Sequence, residues 1–310
     1  MTPTLQALRG GGKRALAHAL ALIETARGTE TLAALLDEAA ADPKAHVAGL
    51  TGPPGVGKST LTNALVRDWR AKGESVGVIA VDPSSRATGG ALLGDRARIA
   101  TDPEDRKVFV RSMAARDRLG GLSDDTVAAM ALMRALFDRV LVESVGIGQS
   151  EADISFAADT VVLCIQPGSG DSLQFMKAGV MELPDIVVVT KADMGAAAKR
   201  ARSDVEGALT LFSREDDWVP PVVLVSAPTG EGLDALHEAL ARHRAHLGVE
   251  GLRRRRARQE DMWIAEATRS RFGSEGAGAA RALKIAARGP FGREREIALA
   301  LRAALSAVRR

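Results

Sequence analysis

The sequence predicts an α/β fold with a doubly wound, mostly parallel sheet, and three observations support this. Short apolar runs alternate with stretches of helical periodicity from His46 onward. The runs are apolar at nearly every position, which is typical of parallel strands covered by helices on both faces. The glycine-rich run Gly-Pro-Pro-Gly-Val-Gly-Lys-Ser-Thr at 52–60 lies between the first apolar run and the first helical stretch. We therefore expect a P-loop NTPase fold.

The elements of this core follow from the alternation, taken in chain order. Seven apolar runs predict strands at 46–51, 75–81, 108–111, 139–143, 160–166, 186–190 and 222–226. Five stretches with apolar residues three or four positions apart predict helices at 58–72, 124–137, 172–181, 192–212 and 232–247. Helices between strands supply the crossover connections that parallel pairing requires.

Helical extensions flank this core on both sides. Apolar residues recur at helical spacing over 4–42, with a break expected at the glycines of 10–12. Towards the C-terminus, helices are expected at 253–272 and 293–309, separated by the glycine-rich segment 273–278. The predicted division is an N-terminal helical extension (1–44), a P-loop domain (45–248) and a C-terminal helical arm (249–310).

Composition excludes several classes of protein. The chain has 310 residues, and Cys164 is its only cysteine, so no disulfide can form within it. No apolar run approaches the roughly 18 residues of a membrane span. The basic cluster 253–256 has no stacking aromatics beside it, which favours a solvated helix face over nucleic-acid binding. We expect a cytoplasmic protein that binds neither membrane nor nucleic acid.

The strongest motif is the run Gly-Pro-Pro-Gly-Val-Gly-Lys-Ser-Thr at 52–60, which follows the first strand and opens a helix. Its glycines let backbone N–H groups surround phosphates, its lysine reaches the β- and γ-phosphate oxygens, and its serine hydroxyl can bind magnesium. A chance glycine-rich turn is a poor alternative in this setting. The predicted phosphate-binding residues are Gly52, Pro54, Gly55, Val56, Gly57, Lys58, Ser59 and Thr60.

A second motif indicates that the base is guanine. Thr190, Lys191 and Asp193 follow a strand and resemble the element in which an aspartate accepts the guanine N1 and N2 protons. Adenine would place its N1 lone pair against the same carboxylate, so GTP is favoured over ATP. A loop of solvated charges is the alternative. Ser226 and Ala227 after the next strand favour the guanine pocket, because such a loop commonly completes one.

Carboxylates at strand ends are candidates for magnesium binding and hydrolysis. Asp82 follows the second strand, where it can hold magnesium or form an Asx turn before the next proline. Asp95 can polarise a water or cap a helix. Glu143 ends an apolar strand and precedes Gly146, which is where a second magnesium carboxylate and a γ-phosphate contact belong.

The order and spacing of these motifs over 46–243 resemble the methylmalonyl-CoA mutase-associated GTPases (MeaB, also called ArgK or LAO), in the signal-recognition-particle-like branch of P-loop GTPases. The resemblance rests on GPPGVGKST, AVDPSS followed by TGG and LGDRARI, ESVGIGQSE, QPGSGDSLQFMKAG and TKAD. ESVGIGQSE stands where ordinary Ras-like GTPases have D-x-x-G. Two departures are Thr190 in place of the more usual asparagine and the segment 112–118, which lacks the expected Pro/Ser-rich pattern.

The resemblance implies roles for individual residues. Ser59, Asp82 and Glu143 would surround magnesium, and Asp95 would be the general base. Lys58 and Gly146 would contact the phosphates. The segment 168–179 resembles a switch loop that orders when a partner binds, in which Asp171 takes part and Lys177 swings toward the phosphates.

The resemblance also implies a function: a GTP-hydrolysing chaperone that uses GTP, GDP and Mg²⁺. It would serve an adenosylcobalamin-dependent acyl-CoA mutase such as methylmalonyl-CoA mutase, gating cofactor loading and protecting the enzyme, and would form a homodimer through its C-terminal arm. One alternative is an ArgK-like kinase linked to amino-acid transport, against which the guanine motif argues. The other is a metal-delivery GTPase, which five histidines and one cysteine make a weak candidate.

Overall fold

The computed structural model describes residues 2–82, 99, 102, 104–114, 122–144, 154–168, 182–211 and 217–308. The chain divides into two compact units. The helical unit comprises 1–45, 124–137 and 254–310, and the sheet unit comprises 46–123 and 138–253. The three-part division expected from sequence stays a prediction.

The sheet unit contains a seven-stranded sheet in which every strand pair is parallel. The strands are β1 (His46–Thr51), β2 (Val76–Asp82), β3 (Val108–Ala114), β4 (Arg139–Glu143), β5 (Thr160–Ile165), β6 (Ile186–Thr190) and β7 (Val222–Val225). Their order across the sheet is β3-β2-β4-β1-β5-β6-β7. This confirms the predicted doubly wound, parallel α/β fold.

Seven α-helices and two short 3₁₀ turns lie in the described part of the chain. The helices are α1 (Leu5–Thr25), α2 (Glu30–Ala41), α3 (Lys58–Ala71), α4 (Asp124–Leu136), α5 (Ala196–Leu209), α6 (Leu233–Ala280) and α7 (Pro290–Val308). The 3₁₀ turns are Ile154–Phe156 and Ala192–Met194. The helix expected at 172–181 lies outside the described residues. No helix in these ranges combines the length and apolar composition that a bilayer span requires.

Two apolar cores cover the opposite faces of the sheet, because alternate strand residues point to opposite sides. On β5, Val162 and Cys164 join the core that α3 and the first turns of α6 complete, whereas Leu163 and Ile165 join the core beneath α5. All four side chains are at most 5% exposed. Burying an aliphatic side chain of this size stabilises a fold by about 1.5–3 kcal/mol, so the apolar strands account for the sheet.

The strand order places a topological switch point at β1. From β1 the chain crosses through α3 to β2 on one side, and after β4 it crosses to β5 on the other side of β1. Ligands of open parallel sheets bind in the crevice outside the carboxyl ends of the strands at such a point. The loop at 52–57 begins there.

The glycines of the C-terminal segment led to a wrong prediction of where its helices end. Separate helices at 232–247 and 253–272, followed by a glycine-rich break, were expected, but α6 runs from 233 to 280. Gly248 and Gly273 have φ values of 58° and 72°, so the chain departs locally from helical geometry without ending the helix. Glycine adopts positive φ without the steric penalty of other residues, so the chain departs from helical geometry at these two positions and then resumes it, and buried side chains such as Trp263 stabilise the helix between them.

Two other element boundaries differ from expectation. The helix predicted over 192–212 is divided into a 3₁₀ turn and α5, because Gly195 between them has φ 58°. The break expected at 10–12 is confirmed, because Gly12 has φ 63° and ψ −161° and divides the span of α1 into two helical segments that meet at a kink. β3 extends to Ala114 rather than ending at 111, since β2 pairs with it over its whole length.

In the helical unit, Asp124 at the start of α4 holds three elements of that unit together. It accepts hydrogen bonds from Arg27, from Trp263 Nε1 at 2.9 Å and from Arg271 at 2.9 Å. Burial alone would raise the pKa of this carboxyl, but Arg27, Trp263 and Arg271 together hold it below its usual range. Asp124 is therefore a charged residue that ties α4 to the segments before and after it.

Candidate functional site

The loop between β1 and α3 passes so close to β5 that its first residue must be glycine. Gly52 has φ 136°, and a Cβ there would lie 2.1 Å from the carbonyl oxygen of Cys164. Gly57, with φ 101°, is the N-cap of α3 and has no side chain to accept the first N–H groups of that helix. Unsatisfied N–H groups and the helix dipole favour an anion at this position.

Lys58 places its ammonium group over this loop. Its Nζ donates to the carbonyl oxygens of Gly52 at 2.7 Å and Pro53 at 3.1 Å, and the residue is only 7% exposed. A buried ammonium held by neutral carbonyls can exchange them for anionic oxygens, which form stronger, charge-assisted hydrogen bonds. The loop therefore has both backbone and side-chain donors for a phosphate.

Ser59 and Glu143 come together although 84 residues separate them along the chain. Ser59 Oγ donates to Glu143 Oε1 at 2.6 Å, and Thr62 Oγ1 donates to Glu143 Oε2 at 3.0 Å. Glu143 is 4% exposed. Two predicted metal-site residues thus meet beside the loop, and the structure adds Thr62, which the sequence analysis missed. Its three-residue spacing from Ser59, which places both on one helix face, was the available signal.

Hydrogen bonds to β1 fix the end of β4. The Ser144 N–H donates to the Leu50 carbonyl at 3.0 Å, and Ser144 Oγ donates to Thr51 Oγ1 at 2.9 Å. Since Ser144 directly follows Glu143, these contacts hold the carboxylate next to the start of the phosphate loop.

The donor set fits magnesium, which prefers hydroxyl and carboxylate oxygens. Ser59 supplies a hydroxyl oxygen, and Glu143 supplies a carboxylate. Asp82 ends β2, and its backbone lies two residues beyond Ala80, which pairs with Glu143 across the sheet. The side chain of Asp82 is outside the described residues, so its part in the set stays a prediction.

The charges of Lys58 and Glu143 both act on Cys164 in β5. The pKa of this thiol is raised to about 12, mainly by burial, with the Lys58 ammonium lowering it and the Glu143 carboxylate raising it. The thiol is therefore protonated at neutral pH and is not a nucleophile.

Thr190 connects the end of β6 to the phosphate loop. Its hydroxyl lies 2.7 Å from the Val56 carbonyl and 2.9 Å from the Ile165 carbonyl, and it is buried. A hydroxyl has a single proton, so Thr190 serves these two acceptors with one donor, whereas an asparagine amide would have two.

Thr190→Val should lower the free energy of unfolding by about 1–3 kcal/mol, because two buried carbonyls lose their shared donor. Thr190→Ser should restore most of the loss. Urea titration measures both, with Thr210→Val as a control in which an exposed hydroxyl that bonds Gly207 is removed. A Val variant as stable as the wild type would mean that the hydroxyl does not join the loop to β6.

The remaining guanine-site candidates lie at the ends of two neighbouring strands. Thr190 pairs with Val225, so the loops after β6 and β7 begin side by side. Lys191 has φ 56° and its Nζ donates to Gln166 at the end of β5. Asp193 is exposed, Ser226 is buried and Ala227 is half-buried. The structure thus brings the predicted base-reading residues to the edge of the sheet that carries the phosphate loop, and their roles stay predictions.

Four predicted site residues lie outside the described residues. They are Asp95, Gly146, Asp171 and Lys177. Their roles remain predictions from the sequence.

A parallel sheet with a phosphate loop at its switch point defines the P-loop NTPase class, and the predicted guanine motif after β6 indicates a GTPase. Comparison of the sequence with protein-family models supports this class. The model of the family described as "Methylmalonyl Co-A mutase-associated GTPase MeaB" matches residues 16–280, and the chain belongs to that family.

Individual relatives extend this result. The chain is 42% identical over 265 residues to a protein of Pyrococcus horikoshii named as a GTPase, covering 83% of this chain and 82% of the relative. It is 33% identical over 272 residues to the mouse "Methylmalonic aciduria type A homolog, mitochondrial", covering 82% of this chain and 66% of the mouse protein. The chain therefore binds guanine nucleotides and hydrolyses GTP.

Solved structures share the fold. The "LAO/AO transport system kinase" superposes with a TM-score of 0.69 at 26% identity, covering 96% of each chain. HypB from Helicobacter pylori, solved with nickel, superposes with a TM-score of 0.51 at 19% identity, covering 69% of this chain and 94% of the other. At 19% identity, the likeness to HypB concerns the fold alone.

Proposed function

We propose that this GTPase is a chaperone for an adenosylcobalamin-dependent acyl-CoA mutase such as methylmalonyl-CoA mutase. Its nucleotide state would gate cofactor loading and protect the mutase from inactivation. The observation that carries the proposal is the family match over 16–280, because the matched family is named for its association with that mutase. The name of the mouse relative, which refers to methylmalonic aciduria, agrees with it.

Phosphate binding would proceed by an exchange of hydrogen bonds. Lys58 would release the carbonyls of Gly52 and Pro53 and donate to β- and γ-phosphate oxygens, and the N–H groups of the first turn of α3 would bind the β-phosphate. The further loop residues, Gly55, Val56 and Thr60 among them, would contribute backbone donors. The buried position of Lys58 strengthens this attraction, because little water screens it.

Magnesium would be held by the Ser59 hydroxyl and, directly or through water, by the carboxylates of Glu143 and Asp82. When bound, the ion neutralises negative charge on the phosphate oxygens. Ser59 would then turn its hydroxyl oxygen from Glu143 toward the ion, and Glu143 would remain as the fixed negative group of the site. Asp95 as general base and Gly146 as γ-phosphate contact complete the proposed hydrolytic set.

The base would be read by the loops after β6 and β7. Asp193 would accept the N1 and N2 protons of guanine, and Lys191 would pack along the ring. Ser226 and Ala227 would close the pocket from the next strand. The exposed carboxylate of Asp193 is accessible to a ligand, which agrees with this role.

Partner control would act through the segment 168–179. Asp171 and Lys177 would order when the mutase binds, and Lys177 would stabilise charge that develops on the phosphates. Residues 249–310 would form a homodimer contact. The switch role of 168–179 and the dimer role of 249–310 are both taken from the sequence resemblance.

Hydrolysis measured with and without the mutase tests the proposal. GTP labelled at the γ-phosphate is incubated with the chain alone, and then with methylmalonyl-CoA mutase with or without adenosylcobalamin. We expect release of free phosphate to accelerate by at least about tenfold with the mutase, a barrier change of about 1.4 kcal/mol. An unchanged rate together with no complex on size-exclusion chromatography would overturn the partner assignment. Label recovered on a protein would instead favour the kinase.

A further inference from the structure

We propose that Thr62 is a positioning residue that sets the orientation of the Glu143 carboxylate for magnesium binding. This inference rests on the proposed role of Ser59 and Glu143 at the magnesium site. Thr62 belongs to none of the motifs on which the sequence analysis relied, and its place in the structure alone draws attention to it.

Two hydroxyls of one helix bind the two oxygens of one carboxylate. Ser59 donates to Oε1 and Thr62, one turn later on α3, donates to Oε2. Thr62 is fully buried, whereas Ser59 is half-buried, so the two oxygens have different surroundings. Oε1 is therefore the oxygen that a residue of the phosphate-loop run 52–60 contacts.

The terminal torsion of a glutamate is broad and nearly two-fold, so a single hydrogen bond leaves the carboxylate plane loosely defined. A second donor at the other oxygen restricts rotation about that bond. When Ser59 turns to the metal, Thr62 still holds Oε2, and Oε1 keeps its direction. Hydrogen bonds that orient metal-binding groups in this way typically account for about 10–100-fold in metal affinity.

A purely structural role for Thr62 would have different consequences. Loss of a buried hydroxyl would then lower the stability of the sheet unit and leave the coupling between magnesium and nucleotide unchanged. The positioning role and the purely structural role are distinguished by comparing nucleotide affinity with magnesium to nucleotide affinity without it.

The experiment measures affinity for guanosine 5′-(β,γ-imido)triphosphate by calorimetry, once with EDTA and once with MgCl₂, on the full chain. Thr62→Val removes the hydroxyl with little change in shape, and Thr62→Ser keeps it. Thr268→Val is the matched control, since Thr268 is a buried helical threonine whose hydroxyl bonds the Ile264 carbonyl of its own helix. Thr62→Ala substitutes for the Val variant if that variant does not fold.

We expect the gain in affinity that magnesium confers to fall by about tenfold or more in Thr62→Val. Affinity in EDTA should stay within about threefold of wild type, as should every value for Thr62→Ser and Thr268→Val. A full magnesium gain in Thr62→Val would overturn the role of Thr62, and so would a loss in Thr62→Ser as large as in Thr62→Val. No magnesium gain in the wild type would overturn the magnesium site itself, and this inference with it.

Discussion

Lys58→Ala is expected to abolish tight GTP binding. The ammonium of Lys58 is buried against the carbonyls of Gly52 and Pro53, so its removal takes away a side-chain cation placed over this loop. Truncating one partner of a buried, hydrogen-bonded charge pair costs about 2–5 kcal/mol. That corresponds to a roughly 30-fold to several-thousand-fold rise in Kd. Calorimetric titration with GTP and magnesium measures the change.

Lys72→Ala provides the control for this variant. Lys72 lies just after α3, pairs with Asp68 at 2.7 Å and is half exposed. Its loss should leave GTP affinity within about twofold of wild type, because exposed pairs contribute about 0–1 kcal/mol. An unchanged affinity in Lys58→Ala would refute the phosphate role of the loop.

Asp193→Asn is expected to remove the preference for GTP over xanthosine triphosphate. In the proposed pocket the carboxylate would accept two guanine protons, whereas an asparagine amide would present donors that match the C2 oxygen of xanthine. A site that leaves a buried polar group unpaired loses about 1–3 kcal/mol for each such group. The ratio of the two affinities should therefore shift by roughly 100-fold or more in favour of xanthosine triphosphate.

Competition of the two nucleotides against a fluorescent GDP analogue measures this ratio. Asp204→Asn, an exposed aspartate on α5, is the control and should keep the wild-type preference. Should Asp193→Asn keep that preference as well, a loop other than the one after β6 reads the base.

The sheet and the phosphate loop were predictable because each carries its own local signal. Strands such as 160–166 contain a continuous apolar run, 161–165, that the structure buries, and the loop sequence at 52–60 is specific by its order of residue types. Both signals need no knowledge of distant contacts. The common edge of Glu143 and Thr190 also follows, since parallel strands place their carboxyl ends together.

The features that the sequence did not predict depend on contacts between residues that are far apart in the chain. Thr62 looks like an ordinary polar position of a helix until Glu143, 81 residues later in the chain, is placed against it. The continuity of α6 through Gly248 and Gly273 depends on the balance between local cost and burial, which glycine content alone does not indicate. Asp95 and Lys177 lie outside the described residues, and their roles remain predictions from the resemblance.

A crystal structure of the chain grown with GDP and magnesium tests the central claim most directly. The account predicts β-phosphate oxygens within hydrogen-bonding distance of Lys58 Nζ and of the backbone N–H groups between Gly55 and Ser59, with the ion bound by the Ser59 hydroxyl. GDP bound elsewhere on the chain, or a loop whose N–H groups point away from the phosphates, would contradict it.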